Sequence, residues 1–136
     1  DTDEYKNANA SERHEIRRSE LLNTIGNYRF YLAFENTIEP YYVTEKSYDA
    51  LLAGTVPVYW GSRDVSKFLP RGSYIDYHDF ATIDDLVLYM HKLETDHPEY
   101  LKYHEWRKHV DDPEWMPQLG METSRETAFC RLCDSL

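Results

Sequence analysis

The chain has 136 residues, 41% of them hydrophobic and 15% aromatic, and its 15 basic against 25 acidic side chains give a formal net charge of -10. That acidity excludes broad electrostatic binding to nucleic acid or to an anionic membrane surface, because phosphates would be repelled and any phosphate site must be local. The length suits one packed domain, no apolar run approaches the roughly 20 residues of a spanning helix, and residues 1–15 lack the basic and apolar regions of a signal peptide.

The first residues, Asp1 to Asn9, are polar and without periodicity, and read as a tail. Ser11 is placed to cap a helix in which Ile16, Leu21, Leu22 and Ile25 share a face, ending at Gly26-Asn27. Its polar side carries Arg13, Arg17 and Arg18. Tyr28 to Phe34 holds a single charge, Arg29, and reads as a strand buried on both faces. It runs into Glu35-Asn36 and a loop, Thr37 to Val43, that contains Pro40, Tyr41 and Tyr42. Thr44 can cap the next helix, with Glu45 and Lys46 in its first turn, Tyr48, Leu51 and Leu52 pointing inward, and Gly54 as its stop.

Val56 to Trp60 follows at once as an apolar strand, so the unit is a βαβ crossover with parallel strands. Asp64 opens a short helical turn, Pro70-Arg71-Gly72 turns the chain, and Ser73 to Tyr77 reads as a third strand. Thr82 or Asp84 starts a helix carrying Leu86, Val87, Tyr89, Met90 and Leu93. Pro98 suits a first helical position, with Tyr100, Leu101, Tyr103 and Trp106 continuing an aromatic helix to about Val110. Glu114 to Leu136 reads as a tail packed back on the domain. The alternation of strands and helices predicts an α/β sandwich.

In open parallel sheets ligands collect beyond the carboxyl ends of the strands, and Glu35, Asn36, Tyr42, Thr44, Glu45 and Lys46 all fall there. A helix starting after Thr44 aims unpaired N–H groups and partial positive charge at that space, and Lys46 adds a full charge, so phosphate is the fitting guest. Glu45 suits the hydroxyls of a ribose or sugar instead. Taken alone, an adjacent Glu and Lys in a first helical turn read as solvated surface, and neither phosphate-cradling glycine fingerprint is present. Cys130 and Cys133, separated by two residues, suggest a small disulfide loop, a redox pair or half a metal site; His104 and His109 are the remaining ligands considered, and no bound metal is predicted.

The succession Phe34-Glu35-Asn36, then Tyr42-Val43-Thr44-Glu45-Lys46, then Leu51 through Gly61, closely resembles the donor-binding signature of the α1,3/α1,4-fucosyltransferase family. The likeness extends back through Tyr28 to Leu32 and forward through Phe68-Leu69-Pro70, Ser73-Tyr74-Ile75, Asp79-Phe80, Trp106-Arg107-Lys108 and Cys130 to Cys133. It implies a Rossmann-like parallel sheet flanked by helices, the C-terminal half of a GT-B glycosyltransferase, with residues 1–20 as tail and start of the first helix and 21–136 as the GDP-fucose-binding domain. It also implies Lys46 on the diphosphate, Glu45 at the sugar-nucleotide, Asn36 and Tyr42 as further donor contacts, and Glu35 as a ligand contact or a strand-end carboxylate.

The implied reaction is inverting transfer of fucose from GDP-fucose to a glycan hydroxyl, with GDP-fucose as substrate rather than cofactor. The catalytic base belongs to an acceptor lobe outside this chain, so the chain is expected to be inactive in isolation. A non-catalytic remnant or interaction module keeping the same fold is the alternative. None of Arg13, Arg17 and Arg18 is assigned to the family's diphosphate-binding arginine. The family works in the Golgi lumen behind a membrane anchor, where a Cys130–Cys133 disulfide would suit the oxidising compartment.

Overall fold

The computed structural model describes residues 8–115. Helix α1 spans Ala10–Ile25, strand β1 Phe30–Phe34, helix α2 Glu45–Ala53, strand β2 Val56–Trp60 and strand β3 Ile75–Asp76. Helices α3 (Ile83–Thr95) and α4 (His97–Leu101) follow, and single 3-10 turns lie at Val65–Lys67 and Tyr77–Asp79. The strands form one parallel sheet in the order β1-β2-β3, with Phe30 opposite Val56 and Val58 opposite Ile75. The expected βαβ crossover is therefore β1–α2–β2.

The central strand β2 explains both sides of the core. Its side chains alternate, as strand geometry requires. Val56 and Val58 face a cluster with Ile75, Leu86 and Leu93 of α3, and Tyr100 of α4. Tyr59 faces the other way, toward Ala33, Leu51 of α2, Val65, Leu69 and Trp106. Helical segments thus cover both faces of the sheet, the arrangement parallel strands need.

Several boundaries differ from the sequence reading, each for a local reason. Asn9 rather than Ser11 caps α1, because its side chain accepts from the Glu12 N–H while Glu12 reaches back to the Asn9 N–H. Leu21 is 42% exposed, and in α1 only Ile25 is fully buried, so the apolar stripe is narrower than expected. Strand β1 begins at Phe30 and is not buried on both faces: Leu32 is 57% exposed, because β1 is the edge of the described sheet and pairs with β2 alone.

The third strand shrinks to Ile75–Asp76, since the Asp76 side chain accepts from the His78 N–H and starts a 3-10 turn. Thr82, not Asp84, caps α3 through a box with Asp85. Pro98 is the second residue of α4, and beyond Leu101 the chain tightens to 3-10 geometry over Lys102–Lys108 instead of continuing as α-helix. Cys130 and Cys133 lie outside the described residues.

Candidate functional site

The site grows from the end of β1. The Glu35 N–H donates to the Trp60 carbonyl at 2.8 Å, so the residue after β1 is fixed to the carboxyl end of β2. Its side chain is fully buried. One carboxylate oxygen accepts the Thr44 N–H at 2.8 Å and the other accepts the Thr44 hydroxyl at 2.8 Å, closing the loop between strand and helix. The second oxygen also lies 3.4 Å from Lys46 Nζ, which donates to Asn36 Oδ1 at 2.9 Å. Space for this clamp exists because residue 61 is glycine: a Cβ there would come within 2.7 Å of Glu35 Cγ and strike the Tyr59 hydroxyl.

The clamp leaves the start of α2 open. With its hydroxyl turned to Glu35, Thr44 makes no side-chain cap. The N–H groups of Glu45, Lys46 and Ser47 have no intrahelical acceptor, as at any helix start, and no other partner among the described residues. The Ser47 hydroxyl is buried and also without a hydrogen-bond partner. Unmet donors, the helix dipole and the Lys46 ammonium act together on one spot, the electrostatic requirement for an anion. Glu45 is exposed beside them, its carboxylate without a partner among the described residues.

A cleft of about 510 Å³ between α1 and α2 adjoins this point, lined by Arg17, Arg18, Tyr31, Glu45, Lys46 and Asp49 among others. Of the three arginines left open by the sequence, the fold brings Arg17 and Arg18 to the cleft. Arg18 donates to one Asp49 oxygen through Nε at 3.2 Å and Nη2 at 2.8 Å, and Asp49 is only 3% exposed. This pair fixes α1 on α2. Arg13 instead donates from Nε to the Ala8 carbonyl near the start of α1.

Glu35, Asn36 and Lys46 are thus in contact, and Glu45 shares the cleft with Lys46. Tyr42 is not part of that cluster: 42% exposed, it sits in the loop, and its hydroxyl makes no hydrogen bond among the described residues. The loop itself is strained, because Tyr41 adopts φ 61° in the left-handed region. It is held there by its N–H on Ser62 Oγ at 3.1 Å, and Lys67 Nζ lies 4.5 Å from the ring centre and 3.1 Å from its hydroxyl.

Sequence reading missed Asp49, Ser47 and Tyr59. For Asp49 a signal existed, since an acid among the inward positions Tyr48, Leu51 and Leu52 of α2 needs a buried partner. Tyr59 is fully buried between the two strand ends, its hydroxyl 3.5 Å from the Tyr42 carbonyl. Burial, and then the charge of Glu35, push its phenol up to about 12, so it remains protonated. No group of three or more His, Cys, Asp or Glu side chains suited to hold a metal occurs among the described residues.

A family model described as glycosyltransferase family 10 (fucosyltransferase) C-term matches residues 2–136. The chain belongs to this fucosyltransferase family. The chain is 38% identical over 121 residues to the human 4-galactosyl-N-acetylglucosaminide 3-alpha-L-fucosyltransferase FUT5, covering 87% of this chain and 30% of that protein. With the Drosophila melanogaster alpha-(1,3)-fucosyltransferase C it shares 37% over 118 residues, 87% of this chain and 25% of the relative. The chain thus spans under a third of the length of these relatives.

A crystal structure of an alpha1,3-fucosyltransferase superposes with a TM-score of 0.55 at 40% identity, covering 63% of this chain and 24% of that one. One with GDP-fucose gives 0.54 at 30% identity, over 70% and 35%. The expected family and the expected GT-B class of parallel α/β fold both stand.

Proposed function

We propose that the chain is the GDP-fucose-binding part of an inverting fucosyltransferase that acts on a glycan hydroxyl in the Golgi lumen. The observation that carries this reading is the uncapped start of α2 beside a lysine held in place by Glu35 and Asn36. Support comes from the alpha1,3-fucosyltransferases with GDP and with GDP-fucose to which the chain is similar.

In this reading Lys46 and the N–H groups of Glu45, Lys46 and Ser47 take the diphosphate, and Glu45 accepts from sugar or ribose hydroxyls. Asn36 orients Lys46, and Tyr42 closes over the donor from the loop. Glu35 acts as a positioning residue, because both of its oxygens are already occupied by Thr44 and Lys46. The acceptor oxygen attacks the anomeric carbon as a base in an acceptor lobe takes its proton, the bond to GDP breaks on the opposite face, and the electron pair leaves on the diphosphate. Donors already aimed at that growing charge stabilise the transition state without reorganising.

Calorimetric titration tests this. The whole chain is expected to bind GDP in preference to UDP and to turn over no GDP-fucose by itself. Lys46→Ala removes a charge-assisted contact of about 1.5–3 kcal/mol, so GDP affinity should fall by roughly 10- to 100-fold. Absence of GDP binding at millimolar concentration by a folded chain overturns the reading.

A further inference from the structure

The start of α1 carries a motif that donor binding does not use. Asn9-Ala10-Ser11 is an acceptor tripeptide for N-linked glycans: an asparagine, a residue other than proline, then a hydroxyl. The other asparagines do not fit, because Asn7, Asn23, Asn27 and Asn36 have Asn9, Ile25, Arg29 and Ile38 at the hydroxyl position. Residues 9–15 are all exposed, so the beginning of α1 stands clear of the domain, with room for a branched glycan.

The cap of α1 decides which atom of the Asn9 side chain is free. Its Oδ1 accepts the Glu12 N–H at 3.0 Å, while the Glu12 carboxylate accepts the Asn9 N–H at 2.7 Å. With the oxygen facing the helix, Nδ2 is turned away from the Glu12 N–H and makes no hydrogen bond among the described residues. N-glycosylation changes Nδ2 alone and leaves the amide oxygen in place, so a glycan-bearing Asn9 still caps α1. The Ser11 side chain is exposed and its hydroxyl has no hydrogen-bond partner among the described residues.

We propose that Asn9 is an N-glycosylation site, modified as the chain passes through the secretory lumen; that passage rests on the Golgi location in the reading above. The co-substrate is an oligosaccharide joined through N-acetylglucosamine to a lipid diphosphate. Asn9 Nδ2 attacks the anomeric carbon of that first sugar and gives up a proton. The C–N bond forms, the C–O bond to the lipid diphosphate breaks, and the diphosphate leaves with the electron pair. His14 is the first residue of α1 to line the cleft, about 8 Å of helix rise beyond Asn9, and Arg18 lies about 14 Å beyond it. The glycan therefore starts outside the proposed GDP site.

The test reads the tryptic peptide of residues 7–13 by mass spectrometry, with and without peptide N-glycosidase. One sample is the natural protein from its own cells, and another is the chain secreted from animal cells behind a cleavable leader. The glycosidase turns a glycan-bearing asparagine into aspartate, and fragment ions should place that change at Asn9 and not at Asn7. Ser11→Ala and Ala10→Pro should each abolish the glycan, and Ser11→Thr should retain it. Ala10→Pro is the sharper variant, because Ala10 is the first residue of α1 and the Asn9 backbone is already extended, φ -72° and ψ 177°, as a following proline requires. Its circular dichroism should match that of the enzymatically deglycosylated parent. GDP titration of the same samples forms a separate arm.

A bare Asn9 peptide in the natural protein overturns the proposal, and so does a glycan that survives Ala10→Pro. If the natural peptide is bare while the leader-directed chain is glycosylated, the lumenal location is the part that fails. No glycan on either sample, with GDP still bound, removes the modification site and leaves the donor reading. A glycan at Asn9 on a chain that binds no GDP keeps the site and removes the donor reading.

Discussion

Replacing Glu35 by glutamine separates a positioning role from a ligand contact. The carboxylate accepts two hydrogen bonds of 2.8 Å from Thr44 and faces the Lys46 ammonium at 3.4 Å, all inside a fully buried setting. Glutamine keeps the shape and can accept one of these donors. If its oxygen keeps the Thr44 N–H, its amide N–H groups face the Lys46 ammonium, donor against donor, while the Thr44 hydroxyl must turn round to accept. A hydrogen bond to a charged buried acceptor contributes about 1.5–3 kcal/mol, and the 3.4 Å ion pair adds little at its length.

Glu35→Gln should therefore destabilise the domain by about 2–3 kcal/mol, a fall in Tm of roughly 10 °C for a domain of this size. Urea denaturation followed by tryptophan fluorescence reads the loss, and calorimetry under folding conditions should show GDP affinity falling as Lys46 is released. A loss of under about 0.5 kcal/mol together with weakened GDP binding would refute the reasoning, because Glu35 would then touch the ligand instead of holding the loop.

Arg18→Ala leaves Asp49 buried without its cation. The cost should be about 2–3 kcal/mol in urea denaturation, below that of a wholly buried pair because Arg18 is 24% exposed, and Arg18→Ala/Asp49→Ala should recover part of it. His104 gives the pH response: burial, and then the nearby Arg107, hold its imidazole below the usual histidine value. The unfolded chain takes up a proton near pH 6.5 that the folded chain resists, so this contribution is complete above about pH 6.5 and is lost on acidification. The urea midpoint should fall between pH 7.5 and 5.5, and His104→Gln should fall less; equal acid slopes would contradict this.

How much was legible follows from the range of each interaction. The βαβ unit could be read because its signals are local: the apolar run Val56 to Trp60, the stop at Gly54, the capping position at Thr44. The structure keeps the first two and starts α2 after Thr44, but the Thr44 hydroxyl turns to Glu35 instead of capping the helix. Lys46 and Asn36 could be paired only loosely, since their spacing says that they share a loop and nothing of the carboxylate between them. Glu35 shows why. Its partners lie 9 and 11 residues on, a distance at which no periodicity applies. The cap at Asn9 was missed because two neighbouring residues both suit the position, and geometry decides between them.

The tightening of Lys102–Lys108 has no propensity signal at all; there the burial of Trp106 within the core overrides a helical pattern. Arg18 and Asp49, 31 residues apart, are a tertiary event that composition cannot announce.

Strand β1 pairs on one side only among the described residues, and Leu32 stands out beside its open edge. A row of unmet main-chain donors and acceptors next to an apolar side chain is a template that any compatible strand can extend. Because all three strands run parallel, a second copy adding there must arrive in the same direction and in a register set by Phe30, Leu32 and Phe34. Ligand titrations on this chain therefore belong at low protein concentration, with light scattering alongside, so that copies joined at β1 are not mistaken for a response to GDP.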